Sequence, residues 1–441
     1  MEELPTEILI YIFQNLDLKN LVRFELVNHR FKNLVRHYKW NHVTIILQNI
    51  DIIDFVIKNY QFKKYNFAKS KITDEILKCL KNCDKLNLSN CNQITDESAK
   101  HLGNCHKLDL YKCSQITDES VKHFGNCHTI NLFGCDKITE ESVKHLGNCY
   151  KLNLSFCNLT DESVKHLGDC YALYLSECNL ITDESVKYLR NCRILDLSWC
   201  SLVTDESVKY LGNCHELNLY NCDEITDESA KHLGNCHKLN LSQCNLITDE
   251  SVKHFRNCHT VYLSGCDKVT DESVKHLGNC YKLNLCLCKI TDESVKSLKN
   301  CHTLNLSLCY QITDESVKHL VNCHTLYLSG CKITDESVKY LVKCYILDLS
   351  FCQLITDESV KHLGSCRVLD ITGCKQITDE SVKYLEKCRT LCISFCDLIT
   401  DDSVKYLVNC DSISVYNCEN VTEECIKFLE NNNVTVNHNF Y

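Results

Sequence analysis

The sequence predicts an α/β solenoid, a right-handed horseshoe with a parallel sheet on its concave face and helices on its convex face. Three observations carry this prediction. A threonine ahead of an acidic pair recurs 17 times between Thr73 and Thr422, at 13 intervals of 22 residues and three of 21. Each copy reads close to C-x-x-L-x-L-S-x-C-x-x-I-T-D-E-S-V-K-H-L-G-N, a short apolar alternation followed by helix-starting residues. And 22 residues cannot enclose their own apolar side chains, so the copies must cover one another in a stack.

Within a copy the L-x-L pair, such as Leu108 and Leu110, alternates with period two and faces one side of a strand. After a turn through the second cysteine, Thr117 is placed to cap a helix, and Asp118 and Glu119 favour its positive end. Ile116 and Val121 are spaced as a hydrophobic staple. Lys122 follows Asp118 at i,i+4. The helix is expected to run to about Phe124, with Gly125 as a left-handed terminator. At about 4.8 Å per strand, seventeen strands give a wall on the order of 80 Å, far more than a small-molecule site needs.

Residues 1–40 lie outside the repeat. Leu4-Pro5-Thr6-Glu7 starts a helix with an apolar stripe of Ile8, Leu9, Ile12, Phe13 and Leu16. Asp17 can cap a second helix through Leu18, Leu21, Val22 and Leu26, and a third carries Phe31, Leu34, Val35 and Tyr38, closed by Trp40. Residues 41–64 form a junction and N-terminal cap, with a strand at Val43 to Leu47 and a helix from Asp51 to Asn59. Residues 65–441 form an array of about 17 repeats whose first copy, around Tyr65 and Phe67, is degenerate. Val434 to Val436 is its last strand, followed by a polar C-terminal cap that includes Asn437, His438 and Asn439.

The pattern Leu4-Pro5-x-Glu7-Ile8-Leu9-x-x-Ile12-Phe13-x-x-Leu16, continued by Leu21, Val27, Arg30-Phe31, Leu34 and Trp40, resembles an F-box. Asn28 stands where that family usually has Cys or Ser, and Phe31 where it often has Trp. The L-x-L half of each copy matches the leucine-rich repeat, with cysteine in the first leucine's place. Together they resemble the F-box/leucine-rich-repeat proteins with cysteine-containing repeats along nearly the whole chain. The near-identity of the copies, rich in Asn, Lys, Ile and Tyr, is similar to repeat families of giant DNA viruses of amoebae and of some AT-rich protists.

The resemblance implies that Leu4, Pro5, Glu7, Ile8, Leu9, Ile12, Phe13 and Leu16 dock on the Skp adaptor of a cullin-type ubiquitin ligase. It further implies that the solenoid holds a protein substrate on its concave face for ubiquitylation. The alternative is a scaffold or decoy that delivers no substrate. These repeats are shorter than the family's usual ones, so its curvature does not carry over.

The net charge of −10 argues against a nucleic-acid partner. The N-terminus lacks a signal-peptide pattern and no apolar run is long enough to span a membrane, so a cytoplasmic or nuclear location is expected, host cytoplasm if the source is viral. Sixteen of the 36 cysteines occupy the repeat's first slot (Cys83 to Cys410) and sixteen its ninth (Cys91 to Cys418). Without an export signal they read as small buried thiols. Cys-His dipeptides recur, but adjacent strand residues point to opposite faces and cannot chelate one ion, so no metal and no cofactor are expected. His106, His128, His215, His237, His259, His302 and His324 are expected to form a partly exposed ladder. A catalytic acid pair would not be copied in every repeat, so the Asp-Glu pairs read as capping acids and no enzyme activity is expected.

Most copies carry small or polar residues on the concave face. The exceptions are candidate substrate contacts: Tyr111, Phe133, Phe156, Tyr174, Trp199, Tyr220, Tyr262, Tyr327, Phe351, Arg367, Asp370, Arg389 and Phe395. Exposed aromatics and arginines are the usual anchors of interfaces.

Overall fold

The computed structural model describes residues 4–16, 18–80 and 83–438, in two compact units, Met1–Ser207 and Val208–Tyr441. Each unit is a leucine-rich-repeat solenoid, and the first also carries the N-terminal helices.

Three helices open the first unit: α1 (Thr6–Phe13), α2 (Leu18–Arg23) and α3 (His29–His37). Leu9, Phe13, Leu21, Phe31, Val35 and Trp40 are buried between them. The Phe13 ring lies 5.5 Å from Phe31, edge to face, and 6.4 Å from Trp40. The Trp40 indole N–H donates to the Val35 carbonyl at 2.7 Å. Asn28 caps α3 by accepting the Phe31 N–H at 2.8 Å, so the residue that departs from the family's usual Cys or Ser performs a capping role. The cap expected at Asp17 and the polar residue Asn439 lie outside the described residues. Leu26, expected in the second helix, is 88% exposed. α2 ends at Arg23 and Phe24–Leu26 continues as a 3₁₀ turn, whose tighter winding rotates Leu26 outward.

Next come β1 (Lys39–Ile46), α4 (Ile50–Asn59) and β2 (Gln61–Asn66). β1 pairs in parallel with β2, and the array proper follows as β3 (Lys85–Asn87), β4 (Lys107–Asp109), β5 (Thr129–Asn131), β6 (Lys151–Asn153), β7 (Ala172–Tyr174) and β8 (Ile194–Asp196). Leu86, Leu108, Ile130, Leu152, Leu173 and Leu195 stand in register and are buried, while the residues on either side of each face the open side of the sheet. The second unit repeats this pattern in eleven parallel strands, from Glu216–Asn218 to Thr435–Asn437.

The second leucine of each pair is also buried, and the chain then reverses through a left-handed residue just before the second cysteine. φ is +52° at Lys112, +63° at Trp199 and +67° at Gly134. That cysteine is what closes the turn. The Cys113 thiol donates to the Leu88 carbonyl of the preceding copy at 3.2 Å, Cys135 to Leu110 at 3.3 Å and Cys374 to Leu349 at 3.2 Å. Each of these carbonyls already accepts a backbone N–H of its own turn, as Leu88 does from Cys91 at 3.0 Å, so the thiol adds a second donor from the next copy, from a side chain small and apolar enough to be buried.

The helices are shorter than expected. Asp118–Val121 is one turn, capped by Thr117 Oγ1 accepting the Glu119 N–H at 3.2 Å, and the following residues fold as turns that bury Phe124 and Cys127. Nor are the repeat glycines left-handed terminators. Gly103 has φ −61°, and a Cβ on Gly125 would sit 2.7 Å from the His145 carbonyl oxygen of the next copy. Glycine in this slot therefore permits neighbouring copies to approach closely.

The acidic pair divides its work. Asp96 accepts from the Thr117 N–H at 3.0 Å, the Thr117 hydroxyl at 2.6 Å and the Ser120 hydroxyl at 2.5 Å, all in the following copy. The glutamate stays within its own copy: Lys122 pairs with Glu119 at 2.8 Å, at i,i+3 rather than with Asp118 at i,i+4. So the aspartate joins copies and the glutamate neutralises a lysine. Burial alone would push the Asp118 carboxyl up, but the hydrogen bonds from Ser142 and Thr139 outweigh it and hold it below the usual carboxylate range.

Candidate functional site

Two surfaces are candidates, the helical module and the outward-facing rows of the repeats. On the module, α1 divides the sequence-predicted residues by its period. Leu9 and Phe13 point inward and are fully buried. Pro5, Glu7 and Ile8 are exposed, and Leu4, Ile12 and Leu16 are half-buried. Leu9 and Phe13 therefore hold the module's shape, and the exposed residues are those a partner could touch. Tyr11, Leu26 and Val27 are large, apolar and exposed as well, and sequence reasoning did not single them out as contacts. The outward signal lies in α1's periodicity for Tyr11; for Leu26 it required knowing where α2 ends.

The thirteen repeat residues fall on separate rows rather than one face. Tyr174, Tyr262, Tyr327 and Asp370 lie on strands, one position past the buried central residue, which is Val261 before Tyr262 and leucine in the others. Tyr111, Phe133 and Tyr220 directly follow the second buried leucine. Phe156, Trp199, Phe351 and Phe395 occupy the left-handed turn position and are exposed. Arg367 and Arg389 precede their strands by one residue.

Some of these rows come together. The Tyr111 and Phe133 rings stack at 4.8 Å, and Phe133 lies 4.7 Å from Phe156. The Lys112 ammonium sits 5.4 Å from the Tyr111 ring. Others stand apart: Tyr262 and Tyr327 are separated by two intervening strands.

The residue after the first cysteine forms the expected ladder, with tyrosines completing it. In the first unit His106, His128, Tyr150 and Tyr171 stack at 4.5–4.6 Å. In the second, seven rings run from His215 through His237, His259, Tyr281, His302 and His324 to Tyr345 at 4.4–4.8 Å. Parallel ring planes aim their nitrogens side by side rather than at one point, which suits stacking and not chelation. Among the described residues no group of three or more His, Cys, Asp or Glu could hold a metal ion. The cysteines of the described residues form no disulfides, and burial pushes thiols such as Cys127 and Cys135 up to about 12, far from the thiolate that reacts or binds metal.

Residues 1–46 match the F-box-like family model. Residues 85–103, 151–168, 324–342, 346–364 and 367–385 match the leucine-rich-repeat model. The chain thus carries an F-box-like segment followed by leucine-rich repeats. No curated protein sequence matches it. Among solved structures it is similar to an internalin (inlF) of Listeria monocytogenes, at 18% identity and a TM-score of 0.52, over 67% of this chain and 88% of that one. It is also similar to the leucine-rich-repeat protein LIC12759 of Leptospira interrogans, at 19% identity and a TM-score of 0.49, over 89% of this chain and 99% of that one. A third likeness is to the Rad7 and Elc1 complex of yeast, at 17% identity and a TM-score of 0.42, over 92% of this chain and 90% of that one. The internalin likeness establishes the fold alone. F-box and repeat modules are interaction modules, and neither family is enzymatic. Among the described residues no helix is long and apolar enough to cross a membrane.

Proposed function

We propose that this F-box-like protein is the substrate-recognition subunit of a Skp–cullin–F-box ubiquitin ligase. The observation that carries the reading is the set of large apolar side chains that the helical module leaves in solvent, Ile8, Tyr11, Leu26 and Val27, on a segment that matches the F-box-like model. A module this small keeps its apolar residues inside unless a partner covers them. Leu4, Pro5, Glu7, Ile8, Ile12 and Leu16 form the adaptor contact with these additions, and Leu9 and Phe13 support it from beneath. The repeats hold a protein target near the ligase's charged enzyme through the thirteen residues named above, so the contribution is proximity rather than chemistry.

The test is co-purification with a Skp adaptor. Ile8→Asp with Leu26→Asp, both at exposed sites, should abolish adaptor binding with the melting curve unchanged. Phe13→Ala should lose binding only by unfolding the module. Absence of adaptor binding by the wild-type protein refutes the reading. Adaptor binding without ubiquitylation of any captured partner favours a decoy.

A further inference from the structure

The strands β2 to β6 carry a row of lysines on their open side. Lys64, Lys85 and Lys107 stand in register on adjacent strands, Thr129 follows, and then Lys151. At about 4.8 Å per strand, the row spans about 19 Å. The lysines of the helical side are neutralised within their own copies, as Lys122, Lys144 and Lys165 are by Glu119, Glu141 and Glu162. Among the described residues, the four strand lysines have no such carboxylate partner. Lys151 instead lies 5.1 Å from the Tyr174 ring.

Beside the lysines runs a row of asparagines whose orientation is fixed by their own turns. The side-chain oxygen of Asn66 accepts the Ala68 N–H at 3.1 Å, that of Asn87 the Ser89 N–H at 2.8 Å, and that of Asn153 the Ser155 N–H at 3.0 Å. A backbone N–H can only be met by the amide oxygen, so each NH₂ is turned outward, with no partner among the described residues. Asp109 is the exception in the row. Its Oδ1 is already taken by the Tyr111 N–H at 3.1 Å and the Asn131 NH₂ at 3.0 Å. Lys85, Lys107 and Lys151, with the asparagines, line a groove of about 550 Å³ that ends at Tyr174, and Lys64 stands in register at its edge. Its wall offers lysine and amide donors against one carboxylate, that of Asp109.

We infer that the groove over β2 to β6 receives an extended acidic segment of a partner protein, with carboxylates on the lysine row and backbone carbonyls on the asparagine NH₂ groups. A span of about 19 Å fits about six extended residues at about 3.3 Å each. Charge complementarity selects the partner: a surface on which lysines and amide donors outnumber the one carboxylate binds a chain rich in acceptors. A nucleic acid gains affinity by neutralising many phosphates. A strand long enough to do so would leave four lysines and run onto a chain of net charge −10. This inference rests on reading the open strand face as the target-binding surface, and does not depend on assembly into a ligase.

The experiment measures binding of a fluorescein-labelled decapeptide of alternating Glu and Ser by anisotropy, at low and at physiological ionic strength. The wild-type protein should bind it, more weakly as salt rises, and should not bind the same peptide with Gln for Glu. Lys85→Glu with Lys107→Glu should weaken binding by about tenfold or more. The same reversal on the helical side, Lys275→Glu with Lys296→Glu, should change it less than about twofold. Should the concave reversal fail to fold, Lys85→Ala with Lys107→Ala should weaken binding by about three- to tenfold. The inference is overturned if the wild-type protein ignores the Glu peptide or binds the Gln peptide equally. It is also overturned if the helical-side reversal does as much as the concave one, or if a ten-nucleotide oligothymidylate binds more tightly through the same lysines. The concave variants should keep adaptor binding. If the adaptor is not bound but the peptide is, the ligase reading falls and the groove stands.

Discussion

The open strand faces of the two units are built on the same repeat and carry different chemistry. In the first unit the lysines stand unneutralised. In the second, Lys238 is paired with Glu216 at 3.3 Å, while Lys282 lies 5.4 Å from the Tyr262 ring much as Lys151 does from Tyr174 in the first. Beyond them the lysine position holds Thr325, Ile346 and Val368, and the neighbouring position holds Asp348 and Asp370 in register. Burial pushes the Asp348 carboxyl up against the hydrogen bonds from Ser350, and the charge of Asp370 adds to the rise. The difference shows which positions a repeat can spend on recognition. The core uses the two leucines and two cysteines of each copy, the joint uses Asp, Thr and Ser, the Asn or Asp between the leucines holds the turn, and the strand residue ahead of the first leucine is left for recognition. Charge can therefore change sign along an array whose packing does not change.

If packing is common to both units, truncating a core leucine should cost the same in each. Leu108→Ala and Leu326→Ala, both at fully buried sites, should each lower stability by about 2–5 kcal/mol in chemical denaturation. A cost confined to one unit would break the equivalence.

The joints offer a finer comparison, because the first unit contains a natural fault. Glu140 replaces the aspartate of its copy. Thr160, in the next copy, has no side-chain cap hydrogen bond, and Ser163 turns back to the Thr160 carbonyl at 2.7 Å. In the second unit each aspartate from Asp227 to Asp401 meets the next threonine, for example Asp271 with the Thr291 hydroxyl at 2.6 Å. Asp118→Ala and Asp271→Ala should each cost about 2–3 kcal/mol by stranding their donors. Glu140→Ala should cost about 0.5 kcal/mol or less, and Glu140→Asp should add about 1 kcal/mol. Thermal melts of the four variants would decide. Equal losses at Asp118 and Glu140 would show that the joint contributes nothing.

Acid should expose the same groups. Asp118 and Asp271 are held below the usual carboxylate range: burial opposes this, and the hydrogen bonds from Ser142 and Thr139, or from Thr291 and Ser294, prevail. A carboxyl depressed in the folded state contributes stability that is present above its unfolded value, about 3.9. That stability is lost as pH falls through the folded value. Denaturation midpoints should therefore hold down to about pH 4 and fall below it, less so in Asp118→Asn. Asp348 carries the opposite sign, since its folded value is raised. Asp348→Asn should raise stability at neutral pH, and this gain should shrink as pH falls into the carboxylate range.

The smallest effect belongs to the exposed turn aromatics. Trp199, 43% exposed in its left-handed turn, should cost about 0.5 kcal/mol or less on truncation to Ala, while Leu197→Ala costs about 2–5 kcal/mol. Comparable losses would place Trp199 in the packing rather than on the surface.

The strand leucines, the buried thiols and the imidazole ladder were all legible in the sequence, because each depends only on a residue's place within one copy. The joints were not. Asp118 stands one residue from Thr117 and 21 from Thr139, and the sequence favours the nearer partner although the carboxylate reaches the farther one. When all copies are alike, a contact to the next copy leaves the same pattern as a contact to its own. The glycine slot misled for the same reason, since the atom that excludes a Cβ at Gly125 belongs to the next copy. On α1 the apolar stripe was visible, but its division into buried Leu9 and Phe13 and exposed Ile8 depends on where α3 and Trp40 pack. Alternation alone could not place Phe156 or Trp199, because both occupy the turn after strand periodicity has ended.

A copy with the aspartate carries both halves of the joint: the aspartate that accepts from the copy ahead, and the threonine and serine that donate to the copy behind. The joint is therefore directional and self-complementary. Deleting one whole copy, from one threonine to the next, brings the preceding aspartate against a threonine identical to the one removed, and inserting a copy creates a joint the array already contains. Length in this molecule can thus be edited in units of one repeat without redesigning any interface, and the faces that differ between copies can be shuffled, lengthened or lost independently of the frame that carries them.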